Sequence, residues 1–317
     1  MAIAVRIHAH GAPAAVLRVE DVPTNDLKTG QVRVRMRLAP INPADLNVIE
    51  GTYGRLPTLP ATIGNEGVGE VIAVGAEVSW PIGTLVRPRD GVGSWCQELV
   101  ADVARCIRLP TGIPDDQAAQ LAINPATAWA VLQEFGPITA GDWVLCNAPG
   151  SAVGRSLAAL CSARGVRLAC LVRRTGEAPE GCLEVVEGRE AAKTLKPLGA
   201  RLALNQVGSD SAVTLAKSLA PLGSLVTIGA LARQPLSLPN GAVIFGELRC
   251  CGFWVSRWYE RIAPELADAM LAELASLVRN GVLQLPVAAT YPMSDVIAAV
   301  EHAQRTGRGG KVLLNCS

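Results

Sequence analysis

The chain has only three histidines, and no two of its nine cysteines stand in a C-x-x-C pair. His8, His10 and His302 lie far from the cysteines without ligand-like spacing, and the thiols form no four-cysteine lobe, so neither a catalytic nor a structural zinc is expected. The scattered thiols read as small buried hydrophobes in a reducing compartment, which points to the cytoplasm, or to an organelle matrix after removal of an import sequence. Charge of one sign is also missing. The 29 basic and 28 acidic residues nearly cancel, and without a basic stripe interleaved with aromatics a nucleic-acid partner is not expected. No apolar stretch runs far enough without charge, Gly or Pro to cross a bilayer, and Met1 to Pro13 lacks the apolar core of a signal peptide. That segment reads as the first β-strand of a soluble protein, with His8 and His10 on one face.

What is there fits two domains, since 317 residues are many for one hydrophobic core. Residues 1 to about 115 hold short β-type runs punctuated by Gly and Pro, such as Val32 to Met36, Gly67 to Val74, Thr84 to Val86 and Cys96 to Val100. Such spacing predicts a compact antiparallel, barrel-like domain. From about residue 117 the texture changes to helix-forming runs, Asp115 to Leu121 and Thr127 to Phe135. A short apolar strand, Asp142 to Ala148, is followed by a turn, a helix over Gly154 to Arg164 and a strand over Arg167 to Val172, a unit of the sort that binds dinucleotides. Strands at Leu202 to Asn205 and Leu225 to Ile228, with a helix at Ser211 to Leu219 between them, continue a parallel sheet. An amphipathic helix over Pro264 to Asn280, then strands at Val287 to Tyr291 and Lys311 to Leu314 around a helix at Ser294 to Thr306, return to the first domain. The expected fold is α/β, with a mostly antiparallel β-barrel domain (1–118 and 266–317) and a doubly wound parallel-sheet domain (119–265).

Two motifs carry chemistry. The turn Asn147 to Gly154 sits where a strand ends and a helix begins, so its amides and the helix dipole can hold a pyrophosphate. It spells P-x-S-x-x-G, keeping only the last of three expected glycines, and an ordinary strand-helix turn is the alternative. The next strand ends in Arg173-Arg174, where an NAD-binding protein carries an acid for the ribose hydroxyl. Two guanidiniums there suit a 2′-phosphate, hence NADPH, against the alternative of a solvated loop pair. The second motif runs from Ile41 to Gly54. Asn42-Pro43 opens a short helix, the proline lying in the first turn where its missing N–H costs nothing. Tyr53 follows in a glycine-flanked loop; an ordinary phenol, with a pKa of about 10, stays protonated at neutral pH and can donate to a developing enolate. Packing is its commoner role.

With the glycine-rich stretch Gly64-Asn65-Glu66-Gly67-Val68-Gly69-Glu70-Val71, the order of segments resembles the medium-chain dehydrogenase/reductase superfamily over essentially the whole chain. Zinc alcohol dehydrogenases carry His between the Gly and Glu of this motif, where this chain has Asn65. Ile41 to Tyr53, Gly64 to Val68, Asn124 to Ala128, Arg201 to Asn205 and Gly252 to Trp258 are most similar to the trans-2-enoyl thioester (enoyl-CoA/ACP) reductases of the mitochondrial type. The Phe-Trp-x-Ser-x-Trp string from Phe253 is the most telling, because quinone reductases share the Gly-x-Tyr loop. The resemblance implies a GroES-like domain, a Rossmann domain and zinc-independent, NADPH-dependent reduction of an enoyl thioester, with hydride to the β-carbon and Tyr53 as proton donor. It places NADPH against Asn42, Asn124, Thr127, Gly150, Ser151, Ala152, Val153, Arg173, Arg174, Ile228, Gly229, Ala230, Leu231, Phe253, Trp254, Val255, Ser256 and Lys311. Trp254 and Trp258 would wall a substrate channel, or only pack, and an apolar strand within Ala242 to Val255 would pair across a homodimer. The segment Thr175 to Pro197 is shorter than in the family, which bears on the adenine side of the cofactor site. Rival activities are an NADPH:quinone oxidoreductase and a non-catalytic NADPH-binding protein, since one fold hosts all three.

Overall fold

The computed structural model describes residues 1–89 and 92–317. The chain forms two compact units, one of Met1–Ile123, Pro264–Arg279 and Leu285–Ser317, the other of Asn124–Ala263 and Asn280–Gln284.

In the first unit the strand Ala2–Ile7 pairs antiparallel with Leu17–Val22 and Ala61–Thr62. A larger sheet runs in the order Val287–Pro292, Lys311–Asn315, Gln31–Pro40, Val68–Val74, Leu85–Pro88 and Cys106–Arg108, with Glu98–Asp102 also paired to Gln31–Pro40. Only its first pair is parallel. Gln31–Pro40 shows the reason for the fold in miniature. Val32, Val34 and Met36 are buried while Arg33, Arg35 and Arg37 reach solvent, the two-residue period of a sheet with one face in the core. That face joins Val5, Ile41, Ile49, Trp95 and Val312 in one cluster. The helix Pro264–Arg279 buries Ala267, Met270, Leu271, Leu274 and Ala275, the three- and four-residue spacing of an amphipathic helix.

The second unit is a six-stranded, wholly parallel sheet, ordered Leu183–Val186, Arg167–Val172, Trp143–Asn147, Leu202–Asn205, Ser224–Thr227 and Arg249–Gly252. This is the Rossmann order, with its switch point between Trp143–Asn147 and Leu202–Asn205. The helices Asn124–Glu134 and Ala152–Ala163 pack on each other. Ala242 to Val255, expected to hold one apolar strand, instead contains the helix Asn240–Gly246, a left-handed Glu247 at φ 47°, and the short edge strand Arg249–Gly252. The helix satisfies its own backbone hydrogen bonds, so this segment needs no strand partner for its N–H and C=O groups.

Candidate functional site

At the switch point of the parallel sheet, the strand Trp143–Asn147 gives way to a turn and then to the helix Ala152–Ala163. Ser151 is the N-cap: its Oγ accepts from Gly154 N at 2.9 Å and donates to Gln206 Oε1 at 2.7 Å. First-turn amides of a helix have no carbonyl four residues back, so those of Ala152 and Val153 belong to the donor set a helix start offers an anion. Open space surrounds Gly150, whereas a Cβ on Gly154 would lie 2.5 Å from the Pro149 carbonyl. Glycine at 154 is thus a steric requirement of the tight turn, and the exposed Gly150 leaves its outer side clear for a bulky anion.

Behind the turn lies a buried amide cluster. Asn147 Nδ2 donates to Asn205 Oδ1 at 2.9 Å and to Ser211 Oγ at 3.0 Å, while Asn147 Oδ1 accepts from Gln206 N at 2.7 Å. Gln206 Nε2 donates to the Asn147 carbonyl at 2.7 Å, and Asn205 Nδ2 reaches Thr227 Oγ1 at 3.1 Å. These side chains tie the carboxyl ends of three adjacent strands together. Polar residues ending apolar strands are the signal by which Asn147, Asn205 and Gln206 can be found in the sequence; Asn147 opens the turn motif and Asn205 ends a stretch that carries the resemblance, but none of the three is among the expected site residues.

The same edge carries most of the expected cofactor residues. Arg173 and Arg174 follow the strand Arg167–Val172 and are exposed; Ile228 to Leu231 follow Ser224–Thr227; Phe253 to Ser256 follow Arg249–Gly252. The crevice outside the carboxyl ends of such a sheet is where dinucleotides bind, and a clear-sided turn, a helix start and two exposed guanidiniums fit a dinucleotide with a 2′-phosphate. Thr127 is buried in the helix Asn124–Glu134 that Asn124 opens. Trp258 is fully enclosed: its Nε1 donates to Glu134 Oε1 at 2.9 Å, and Trp129, Phe253 and Tyr259 pack around it. It is a core aromatic in this unit, while Trp254 is half-buried with Arg257 over its ring at 5.8 Å.

In the first unit the helix Pro43–Glu50 is closed by Gly51 in the left-handed conformation at φ 78°. Thr52 N then bonds Asn47 O at 2.8 Å, and the half-buried Tyr53 packs against the core at the start of an exposed loop. Beneath this helix lies a cluster of ionisable side chains. Asp45 accepts from Asn42 N at 2.7 Å and Asn65 N at 2.9 Å. Asn42 Nδ2 donates to Glu66 Oε2 at 3.0 Å, and its Oδ1 accepts from Lys311 Nζ at 2.7 Å. Glu66 Oε1 also accepts from Ile123 N at 2.6 Å, and Arg87 donates to the Asn65 carbonyl at 3.0 Å. Burial pushes the Asp45 carboxyl up to about 7 against the pull of these hydrogen bonds, and pushes Glu66 up against nearby Arg87. Burial brings the Lys311 ammonium down to about 8, opposed by Glu66. Of this cluster, Asn42 and Lys311 are expected cofactor contacts, and the structure joins them directly, while Asn65 and Glu66 belong to the glycine-rich stretch that carries the resemblance.

His8 pairs with Glu20 at 2.6 Å, His10 with the Val48 carbonyl at 3.0 Å and His302 with Tyr291 at 3.1 Å. Among the described residues no group of three His, Cys, Asp or Glu side chains is placed to hold a metal ion. The donor set does not fit a zinc centre, although one of the two matching family models is that of a "Zinc-binding dehydrogenase" (residues 180–314), beside the "Alcohol dehydrogenase GroES-like domain" (residues 28–126). The mitochondrial enoyl-[acyl-carrier-protein] reductase of Bos taurus is 35% identical over 96% of this chain and 86% of its own length. Among solved structures, a protein assigned as an NADPH:quinone reductase from Bacillus thuringiensis superposes with a TM-score of 0.91 at 33% identity, covering 99% of this chain and 98% of that one. The complex of Etr1p with NADP and crotonyl-CoA superposes with a TM-score of 0.88 at 27% identity, covering 99% of each chain. With the GroES-like sheet, the Rossmann order and the Asn65-Glu66 motif in place of a zinc ligand, this chain belongs to the medium-chain dehydrogenase/reductase superfamily, in the family of the mitochondrial-type enoyl-[acyl-carrier-protein] reductases.

Proposed function

We propose that this protein is a zinc-independent, NADPH-dependent reductase of the carbon-carbon double bond of trans-2-enoyl thioesters carried on CoA or acyl-carrier protein. The observation that carries this reading is the Arg173-Arg174 pair at the carboxyl edge of the Rossmann sheet, in a chain 35% identical to an enoyl-[acyl-carrier-protein] reductase. When bound, NADPH supplies the hydride that goes to the β-carbon of the substrate. Gly150, Ser151, Ala152 and Val153 hold its pyrophosphate through amides and the helix dipole. Arg173 and Arg174 hold the 2′-phosphate through charge-assisted hydrogen bonds. Asn124, Thr127, Ile228, Gly229, Ala230, Leu231, Phe253, Trp254, Val255 and Ser256 are the further contacts we assign, with the bonded pair Asn42 and Lys311. Trp254, the less buried of the two tryptophans, is the better candidate for lining the acyl path; Trp258 supports it from the core.

The Tyr53 hydroxyl donates a proton or hydrogen bond as negative charge develops toward the thioester carbonyl. Removing a positioned general acid costs about 10²-fold or more in rate. The test is NADPH oxidation at neutral pH with a short trans-2-enoyl-CoA beside a benzoquinone, in wild type and Tyr53→Phe. The expected result is thioester turnover that falls by about 10²-fold in the variant. Undiminished turnover removes Tyr53 from its role. Turnover of the quinone alone, insensitive to Tyr53, favours the quinone reductase reading, which the likeness to the Bacillus thuringiensis structure keeps specific.

We also propose a homodimer built on the edge strand Arg249–Gly252. This strand ends the sheet, its residues are largely exposed, and Ile244 and Phe245, 63% and 87% exposed, precede it in the chain; a sheet edge with exposed apolar side chains near it in sequence favours pairing with a second copy. A reducing compartment, cytoplasm or organelle matrix, suits the nine free cysteines. No described helix is long and apolar enough to cross a membrane.

A further inference from the structure

Two carboxylates organise the loop that follows the strand Arg167–Val172. Glu184 accepts from Gly176 N at 2.9 and 3.0 Å, one distance to each of its oxygens, and from Ala178 N at 2.9 Å, which closes the loop into a fixed turn. Within that turn Glu177 accepts from the Arg173 amide at 3.2 Å and from Arg174 Nε at 3.3 Å, and its carboxylate lies 4.0 Å from the Arg173 guanidinium. The turn therefore brings one half-buried carboxylate to two exposed guanidiniums and a backbone N–H. Two guanidiniums and an amide are the donors a phosphate monoester takes.

We propose that Glu177 is an internal stand-in for the 2′-phosphate, a specificity-setting residue that neutralises Arg173 and Arg174 in the free protein and is displaced when NADPH binds. This rests on the reading of the two arginines as the phosphate site. Desolvation is the largest single influence on the Glu177 carboxyl and pushes it up, but the hydrogen bonds and charges of Arg173 and Arg174 together outweigh it and hold the group below the usual carboxylate range, so it is charged at neutral pH. A phosphate monoester brings nearly two negative charges and three acceptor oxygens, enough to displace a single carboxylate from an exposed pair. NADH, with a ribose hydroxyl in place of the phosphate, has nothing to exchange for Glu177 and can hydrogen-bond to it, as nucleotide hydroxyls do to the acid in NAD-binding proteins. Glu177 thus weakens NADPH binding relative to NADH and narrows the preference between them.

The test is direct binding, by titration of NADPH, NADH and 2′,5′-ADP at low ionic strength, with wild type, Glu177→Gln, Arg173→Ala/Arg174→Ala and the triple variant. Exposed ion pairs set the scale, so Glu177→Gln should tighten NADPH and 2′,5′-ADP by about three- to fivefold. NADH should not tighten, and the gain should vanish when the arginines are absent. Equal tightening of NADPH and NADH overturns the proposal, as does an unchanged or weaker affinity for NADPH. If the arginine variant loses NADPH affinity while Glu177→Gln has no effect, only the role of Glu177 fails. If the arginine variant binds NADPH as tightly as wild type, the phosphate site itself is misassigned and the proposal falls with it.

Discussion

The two units each bury a polar cluster, and the clusters are built on opposite principles. Behind the turn that precedes the helix Ala152–Ala163, Asn147, Asn205, Gln206 and Ser211 are all neutral, and amide donors meet amide or hydroxyl acceptors at 2.7 to 3.0 Å. Under the helix Pro43–Glu50, Asp45, Glu66, Arg87 and Lys311 are all ionisable and all buried. A neutral cluster needs only geometry to be stable, because no charge has been taken out of water. A charged one depends on mutual compensation, since each ion loses several kcal/mol of solvation that its partners must offset. The cluster of the second unit is therefore set by fixed dipoles, and that of the first by protonation.

The largest effect that sharpens this contrast is expected from Glu66→Ala. It leaves Lys311 and Arg87 less compensated and takes the acceptor from Asn42 Nδ2 and Ile123 N, at a cost of about 3–5 kcal/mol in urea unfolding. Glu66→Gln, which keeps an acceptor, should recover part of that, and a loss below about 1 kcal/mol for the alanine variant would mean that the cluster is not held by compensation. Asn147→Ala should cost less, about 2–3 kcal/mol, because it strands neutral groups, the Gln206 amide among them. Were the two losses equal, or their order reversed, the distinction between the clusters would fail.

The smallest effect is in pH dependence. Asp45 keeps its proton to about pH 7 in the folded protein, whereas in the unfolded chain it releases it near about 4. The folded state binds more protons in that window, so this contribution is fully present at low pH and is lost as pH rises from about 4 to about 7. Glu66 shifts in the same direction, and Lys311 is protonated in both states there. Unfolding free energies from urea titrations at pH 5 and pH 7.5 should differ less in Asp45→Asn than in wild type, by about 1 kcal/mol or more. The Asn147→Ala protein should keep the wild-type slope; a change there would assign the pH dependence to the wrong unit.

The strand-turn-helix from Trp143 to Ala163 was legible because its signals are local: an apolar run, a capping serine and a glycine that nothing else can replace. The helix start at Asn42 was legible for similar reasons, since the proline after it lies in the first turn. Leu17–Val22 was missed, since its charged residues are those of an edge held by Ala2–Ile7. Leu183–Val186 was missed too, having one buried residue and its ladder only on one side. The helix Asn240–Gly246 was not expected within the apolar stretch from Ala242, because its four-residue apolar run is too short for its period to separate helix from strand.

By itself, then, the amino-acid order determined the class of each domain and the strand-turn-helix over 143–163, because these depend on residue type and near neighbours along the chain. Only the tertiary structure decided that Lys311 meets Asn42, 269 positions away, that Glu66 and Asp45 share a buried cluster with them, and that Glu177 occupies its own arginines. Those contacts depend on which faces are sealed from water. A carboxylate or ammonium in a sequence carries the same charge wherever it stands, and burial alone decides what it must bond and at what pH it keeps its proton.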